Sequence, residues 1–169
     1  GLETRDQAKT FIYGFLYGAG DQKIGEIVGK GSKEGKNLKN KFLSQLPALK
    51  QLRKKVQKKA EDCGAIKGLD GRRVPVRSKH AALNTLLQSA GAIICKQWVV
   101  EMHSLLTHKG YKRGEDYSQV AFVHDEVQLT VKENYAEEIG RLCVEAITLT
   151  GTKLGLRIPL TGEYKVGSN

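Results

Sequence analysis

Cysteine and proline are scarce in this sequence of 169 residues, with three of each, and no two cysteines form a Cys-x-x-Cys pair. Cys63, Cys95 and Cys143 lie far apart along the chain. This pattern therefore carries neither the signature of a disulfide framework nor that of a zinc knuckle. Unpaired thiols are typical of a reducing compartment, so we expect a cytoplasmic location.

Long apolar runs, internal repeats and low-complexity tracts are also lacking. A membrane span needs about 20 consecutive apolar residues, and because no run approaches that length we expect no membrane partner. Hydrophobic residues make up 40% of the chain and charged residues 27%, which is ordinary for a protein that folds in water. The length allows one domain with a real core, or two small lobes.

Acidic residues are few compared with basic ones. The 18 Asp and Glu face 28 Lys and Arg, which leaves a formal net charge of +10. A surplus of this size favours a polyanionic partner, and nucleic acid is the commonest. A basic surface without a partner remains the alternative.

Several segments have the apolar periodicity of amphipathic helices. Thr4 is a suitable N-cap for the first of them, and Pro47 predicts a break because proline disfavours helix in the residue before it. We expect helices over residues 5–16, within 21–29, over 36–62 with that break, over 80–106 and over 134–150.

Strand patterns occur in three other places. "GLDGRRVPVRS" (68–78) has a turn dipeptide followed by alternating valines, which predicts a hairpin. Residues 127–131 alternate between apolar and polar side chains, and residues 120–123 resemble a shorter and more buried strand. His124, Asp125 and Glu126 therefore fall at a tight turn between two strands. Residues 156–169 are expected to form a last strand and a tail.

The first helix repeats a chemically useful residue at every fourth position: Arg5, Lys9, Tyr13 and Tyr17. Arg5 and Tyr13 would be about 12 Å apart along the helix, which is about the reach of a triphosphate and its sugar. An arginine fork suits terminal phosphate oxygens, and a lysine can act as a point charge. An aromatic ring beside Gly14 offers a flat, open surface. The alternative is a basic helix edge with tyrosines in the core.

The turn at Asp125 and Glu126 places two carboxylates between apolar strands. Such a pair is costly unless something compensates the charge, and a divalent cation is the usual answer. Neighbouring strand residues point to opposite faces, so Asp125 is the better candidate for a direct metal ligand. An ordinary turn without a metal is the alternative.

A polar stripe lies on the long helix, at His80, Asn84 and Gln88. Asn and Gln side chains both donate and accept hydrogen bonds, which is what contact with the minor-groove edge of a base pair requires. An ordinary exposed helix face would have the same composition.

Together these three groups resemble motifs of the family A (polymerase I-like) DNA polymerases, especially the branch found in short-tailed phages. "RDQAKTFIYGFLYG" is similar to motif B, R-x-x-x-K-x-x-x-[FY]-G-x-x-Y-G, and "VHDE" to motif C. "HAALNTLLQSAGA" resembles the helix that joins them. The likeness covers essentially the whole chain in the expected order, and it is much more specific than any one motif.

The resemblance implies an α+β fold in two parts. Residues 1–68 would form a mostly helical fingers subdomain, with the nucleotide-binding helix and the basic helices. Residues 69–169 would form part of an antiparallel-sheet palm, whose β-hairpin carries the catalytic aspartate. If a phage encodes the chain, the host cytoplasm would be its location.

The family also implies roles for the residues of the first helix. Arg5 and Lys9 would bind the phosphates of an incoming deoxynucleoside triphosphate. Tyr13, with Gly14 beside it, would pack against the sugar and base, and Tyr17 would border the templating base.

For the hairpin and the long helix the resemblance implies metal and DNA contacts. Asp125 would bind one or both Mg²⁺ ions of a two-metal phosphoryl transfer. His124 would lie near the primer terminus, with Glu126 as its acidic neighbour. His80, Asn84 and Gln88 would contact the minor groove of the primer-template duplex.

The second metal carboxylate of the family comes from motif A, upstream of motif B. "EDYSQ" (115–119) echoes that motif, but it lies next to motif C, and we interpret it as a coincidence in a loop. We therefore expect a fragment that lacks motif A, the thumb and any exonuclease, is inactive alone, and needs the remainder of the polymerase.

Two other functions fit parts of the pattern. A single-subunit, phage-type RNA polymerase shares the Arg/Lys helix and an aspartate hairpin, but Glu126 and Tyr13 match the DNA polymerases better. A non-catalytic remnant could bind nucleic acid through its positive charge alone.

Overall fold

The computed structural model describes residues 2–167, which fall into two compact units divided between Ala90 and Gly91. Within the described residues, six α-helices and two antiparallel two-stranded sheets confirm the predicted α+β class. None of these helices is both long enough and apolar enough to cross a membrane.

The first unit is mostly helical. Thr4 caps its first helix, because its side chain accepts a hydrogen bond from the backbone N–H of Gln7 at 3.1 Å. Pro47 begins the fourth helix, as the sequence predicts for a residue whose ring fixes a helical φ. Its elements are α1 (Arg5–Leu16), α2 (Asp21–Glu26), α3 (Ser32–Gln45), α4 (Pro47–Cys63), β1 (Ala65–Lys67), β2 (Arg73–Pro75) and the start of α5 (Ala82–His108).

The core of this unit is built around aromatic side chains of α1 and α3. The Phe42 ring lies edge-on to Phe11 and Phe15, with centroids 5.2 Å and 5.1 Å away. Gly35 lets α3 approach α2 closely, because a Cβ there would overlap the backbone oxygen of Asp21. The buried members of the cluster are Phe11, Phe15, Ile24, Leu38, Leu43 and Leu83.

The predicted hairpin of the first unit is present but short. β1 pairs antiparallel with β2, with Ile66 opposite Val74. In the intervening turn Gly71 has a φ of +87°, which suits glycine. Ile66 and Val74 pack with Val56 and Ala60 of α4, which joins the hairpin to the helix.

The second unit contains the rest of α5, the hairpin strands β3 (Tyr117–Val123) and β4 (Glu126–Val131), and α6 (Ala136–Lys153). β3 and β4 pair antiparallel, with an irregularity between Gln119 and Ala121. The buried core members are Met102, Leu106, Tyr117, Ile139, Leu142 and Ala146.

Two strand predictions in this unit need correction. Residues 120–123 do belong to a strand, but it is not the more buried one, since Val120 and Val123 are 59% and 52% exposed. The predicted last strand is also wrong for residues 156–167, which form no strand. An apolar run specifies the conformation of a strand, but neither its burial nor a pairing partner. Residues 168 and 169 of that prediction lie outside the described part of the chain.

Candidate functional site

The four predicted residues of the first helix share its solvent-exposed side, and the last of them, Tyr17, is the C-cap directly after α1. Arg5 and Lys9 are exposed, and Tyr13 and Tyr17 are 53% and 57% exposed. Phe11 and Phe15 take the buried side. The structure therefore rejects the alternative in which both tyrosines belong to the core, and it leaves a row of two cations and two aromatic rings open to a ligand.

Gly14 has a packing role that the sequence alone did not reveal. A Cβ at this position would lie 3.1 Å from the Cδ1 atom of Ile24. Ile24 is fully buried beneath α1. Gly14 therefore allows α1 and α2 to pack closely, which in turn fixes the exposed side of α1.

The end of α1 meets the start of α5. The Nε2 atom of Gln88 donates a hydrogen bond to Tyr17 Oη at 2.7 Å. Gly18 has a φ of +80°, and a Cβ there would lie 2.8 Å from the backbone oxygen of His80. The structure thus brings together residues that the sequence placed in two separate groups, because the two helix ends touch inside one unit.

The polar stripe on α5 is only partly helical. His80 lies in a short 3-10 turn at Lys79–Ala81, whereas Asn84 and Gln88 lie on α5 itself. His80 and Gln88 are exposed and Asn84 is half-buried. The stripe is therefore accessible beside Tyr17.

The hairpin of the second unit presents the predicted acidic residues at its tip. Val123 pairs with Glu126, so His124 and Asp125 form the two-residue turn between them. His124 has a φ of 56°, which non-glycine residues seldom adopt. All three residues from His124 to Glu126 are exposed.

Asp125 and Glu126 differ in their surroundings. Asp125 lies in the turn, so the strand alternation used to separate the two carboxylates does not apply to it. The Glu126 side chain accepts a hydrogen bond from Gln128 Nε2 at 2.8 Å. Glu126 is thus held along β4, whereas the Asp125 carboxylate has no hydrogen bond or ion pair among the described residues.

The negative charge in this turn affects the pKa of Cys95 of α5. Nothing in the sequence spacing indicated this connection. Burial, and after it the negative charge of Asp125, raises the pKa of the Cys95 thiol.

The carboxylates of Asp125 and Glu126 are the type of ligand that Mg²⁺ prefers, but two of them do not make a complete metal site. Mg²⁺ prefers oxygen ligands and is usually held by one or two carboxylates together with water and substrate phosphates. Among residues 2–167 no group of three His, Cys, Asp or Glu side chains could hold a metal ion. Asp125, with Glu126 beside it, fits part of such a site.

The echo of motif A has a structural role of its own. Asp116 accepts hydrogen bonds from Lys132 Nζ at 2.7 Å and from the backbone N–H of Lys112 at 2.9 Å. These contacts lower the pKa of the Asp116 carboxyl, the Lys132 hydrogen bond most of all. Tyr117 is buried and begins β3, so the expectation that 115–119 is entirely loop is wrong.

Comparison with known families settles the relationship. The sequence model of DNA polymerase family A matches residues 2–169. The chain belongs to this family. The resemblance carried by the three motifs is thereby confirmed.

Phage polymerases are among the relatives of this family A chain. The DNA-directed DNA polymerase of Enterobacteria phage T3 is 47% identical over 185 aligned positions, which cover 99% of the chain and 26% of the relative. The enzyme of Escherichia phage T7 is 48% identical with the same coverage. The chain thus spans about a quarter of the length of these relatives.

A solved structure shares the fold. It is the POL domain of Pol1 from M. smegmatis in complex with DNA primer-template and dNTP. The two chains have a TM-score of 0.76 and 20% sequence identity, over 86% of this chain and 27% of that one. The α+β fold of this chain therefore resembles about a quarter of that polymerase domain.

Proposed function

We propose that the polymerase to which this chain contributes carries out template-directed DNA synthesis, adding deoxynucleotides to a primer 3′ end. This proposal rests on the exposed row along α1 and its C-cap, in a chain of DNA polymerase family A. The row consists of Arg5, Lys9, Tyr13 and Tyr17.

The charge and shape of the α1 side chains indicate which part of a deoxynucleoside triphosphate each of them would contact. Arg5 and Lys9 bind the phosphates, where fixed cations stabilise the charge that builds up during transfer. Tyr13 packs beside the sugar and base, and Tyr17 borders the templating base. Gly14 contributes indirectly, because it seats α1 against Ile24.

At the hairpin tip, Asp125 holds Mg²⁺ together with carboxylates from elsewhere in the polymerase. Bound there, the metal supplies Lewis-acid activation of the primer hydroxyl and neutralises phosphate charge. The primer 3′-hydroxyl would give its proton to solvent and form a bond to the α-phosphorus, as the bond from that phosphorus to the leaving pyrophosphate breaks. His124 lies beside the primer terminus, and Glu126 adds negative charge next to Asp125.

Behind the new base pair, His80, Asn84 and Gln88 contact the minor groove. Gln88 presents an amide, which both donates and accepts. In the structure that amide is hydrogen-bonded to Tyr17. Duplex DNA that accepts a hydrogen bond from the Gln88 amide would compete with Tyr17 for this donor, which would connect the minor-groove contact with the residue beside the templating base.

The remaining parts of the site come from outside these residues. The relatives are about four times longer, and we infer that a motif A strand, a thumb and the rest of the palm act with this chain. The M. smegmatis neighbour was solved with primer-template and dNTP, which supports the same two partners here. Residues 1–169 alone are proposed to be inactive, since one carboxylate turn does not fix two ions.

Primer extension by the complete polymerase tests this function. We expect Lys9→Ala to lower kcat/KM for deoxynucleotide addition by about 100-fold or more, since one charge-stabilising group is removed. Lys109→Ala is the control, because Lys109 is an exposed lysine of the second unit outside the proposed site.

Three outcomes would contradict the proposal. Equal activity of the two lysine variants would remove α1 from the reaction. Preferential incorporation of ribonucleotides would favour an RNA polymerase. DNA binding without any extension, in the complete protein with Mg²⁺ present, would indicate a non-catalytic binding protein.

A further inference from the structure

Helix α4 carries a concentration of positive charge that the proposed nucleotide and metal contacts do not use. From Gly35 to Ala60 the sequence contains no Asp or Glu at all. The same segment contains nine cations: Lys36, Lys39, Lys41, Lys50, Arg53, Lys54, Lys55, Lys58 and Lys59.

The lysines of α4 occupy one side of the helix. With about 100° of rotation per residue, Lys50, Lys54 and Lys58 lie about 40° apart in succession, and Lys55 and Lys59 extend the same side. All five are exposed. Val56 and Ala60 fill the opposite side and are buried. We call these five lysines the α4 basic face.

Most of this face lacks an acidic partner. Among the described residues, only Lys58 forms an ion pair, with Asp62 at 3.4 Å. Glu61, the other acidic residue of α4, pairs with Lys79 at 2.8 Å instead. Lys50, Lys54, Lys55 and Lys59 form no ion pair among the described residues. Like charges four residues apart destabilise a helix unless a counter-charge is present.

The helix that carries the face is held firmly in the first unit. The Arg53 guanidinium lies over the Phe15 ring, with its Cζ atom 5.4 Å from the ring centroid. Val56 and Ala60 pack with Ile66 and Ala82. Arg53 therefore packs α4 against Phe15 and is not a member of the α4 basic face. The lysines of the face project from a helix that is held by packing on its other side.

We propose that the α4 basic face binds the phosphate backbone of double-stranded DNA, independently of base sequence. The face is about 14 Å long from Lys50 to Lys59, and over that length B-DNA carries about eight phosphate charges on its two strands. α4 contains no aromatic residue on which an unpaired base could stack, so a duplex suits it better than a single strand.

This surface adds to the proposed polymerase function without depending on it. Binding through phosphates needs neither nucleotide nor Mg²⁺, so it is measured with EDTA present. If the polymerase did not synthesise DNA, binding of duplex DNA by the α4 basic face could still be measured. If the face did not bind DNA, the proposed polymerase reaction would be unaffected.

The test compares two triple variants of the complete polymerase with equal loss of charge. Lys50→Gln, Lys54→Gln and Lys55→Gln remove three members of the face. Lys67→Gln, Lys109→Gln and Lys112→Gln remove three exposed lysines elsewhere. Circular dichroism confirms that each variant keeps its helix content, and Lys→Arg changes at the same three α4 positions should restore binding.

Fluorescence anisotropy with a labelled duplex, over about 50–200 mM salt, gives the result. For the α4 variant we expect the slope of log K against log salt to become shallower by about two to three, because each phosphate contact contributes close to one. We expect its affinity at low salt to fall at least about tenfold. The control variant should change the slope by less than about one.

Three results would overturn the proposal. Equal changes of slope and affinity in both variants would mean that DNA binding depends only on the net charge of the protein. An unchanged slope for duplex DNA, together with lost binding to poly-glutamate, would mean that the face serves an acidic protein segment. Tighter binding of a single strand than of the matched duplex would also contradict the commitment to double-stranded DNA.

Discussion

At the scale of single residues, His124 combines an unusual backbone with a proposed place beside the primer end. Its φ of 56° lies in the left-handed region, at the first position of a two-residue hairpin turn. Glycine occupies this region without strain, and histidine, asparagine and aspartate do so more readily than most residues. A substitution can therefore separate the conformational role from the chemical one.

We predict that His124→Gly keeps or raises the stability of the hairpin, by up to about 1 kcal/mol, while primer extension by the complete polymerase falls. The reason is that glycine meets the demand of the turn but removes the imidazole. Thermal unfolding and primer extension measure the two effects. If His124→Gly extends primers at the unaltered rate, His124 serves the turn only.

The turn also shows what sequence could predict at this scale. Valines on both sides of His124–Asp125–Glu126 placed the turn correctly, because strand alternation and turn residues are local signals. The hydrogen bond between Gln88 and Tyr17 had no such signal, since it joins side chains 71 positions apart. The influence of Asp125 on Cys95 was likewise invisible, because it depends on how the hairpin packs.

At the scale of elements, α5 and α6 are joined by a buried carboxylate. Glu101 is 7% exposed, and its Oε2 accepts from Lys153 Nζ at 2.6 Å, while Oε1 accepts from Gln97 Nε2 at 2.8 Å. The Lys153 hydrogen bond lowers the pKa of the Glu101 carboxyl below its ordinary value of 4.5, although burial opposes that shift.

The pH dependence of this pair follows from the lowered pKa. Because the folded-state pKa lies below the unfolded one, ionised Glu101 contributes stability above pH 4.5 that is lost as the pH falls through the folded value. We predict that Lys153→Gln lowers the free energy of unfolding by about 1–2 kcal/mol at neutral pH, a modest figure because Lys153 is largely exposed. Urea unfolding at several pH values measures this.

The difference between the Lys153→Gln variant and the parent should shrink as the pH falls from 4.5 through the lowered folded-state pKa of Glu101, below which Glu101 is protonated in both. Lys109→Gln, with the same loss of charge and no described partner, should change stability by less than about 0.5 kcal/mol. A constant difference across the pH range would show that Lys153 stabilises the helix pair through packing alone.

The presence of the helices was more predictable than their bounds, since α3 begins at Ser32, four residues before its predicted start. The bounds of α1 match the prediction at both ends, since the Thr4 cap and the following glycine are local sequence features. Burial was less predictable: Val120 and Val123 are as apolar as core residues but are exposed. Burial depends on what covers a strand, and a strand pattern does not contain that information.

At the scale of the whole molecule, family membership was the feature that sequence could establish best. Three motifs that occur in the order typical of the family indicate membership far more specifically than one motif does. The family A match over residues 2–169 confirms that membership. The proposed boundary between fingers and palm at residues 68 and 69 stays a prediction. The compact units of the structure divide elsewhere, between residues 90 and 91, within α5.

The proposed function requires the Asp125 carboxylate for metal-dependent DNA synthesis. The most direct measurement is Mg²⁺-dependent primer extension by the complete polymerase carrying Asp125→Asn, with Asp116→Asn as the matched control. Asp116 is the echo of motif A, held by Lys132 and the Lys112 backbone. We predict a loss of at least about 1,000-fold in kcat for Asp125→Asn, comparable with other lost charge-stabilising groups, and near-normal activity for Asp116→Asn. Comparable activity of the two variants, or a loss confined to Asp116→Asn, would contradict the account.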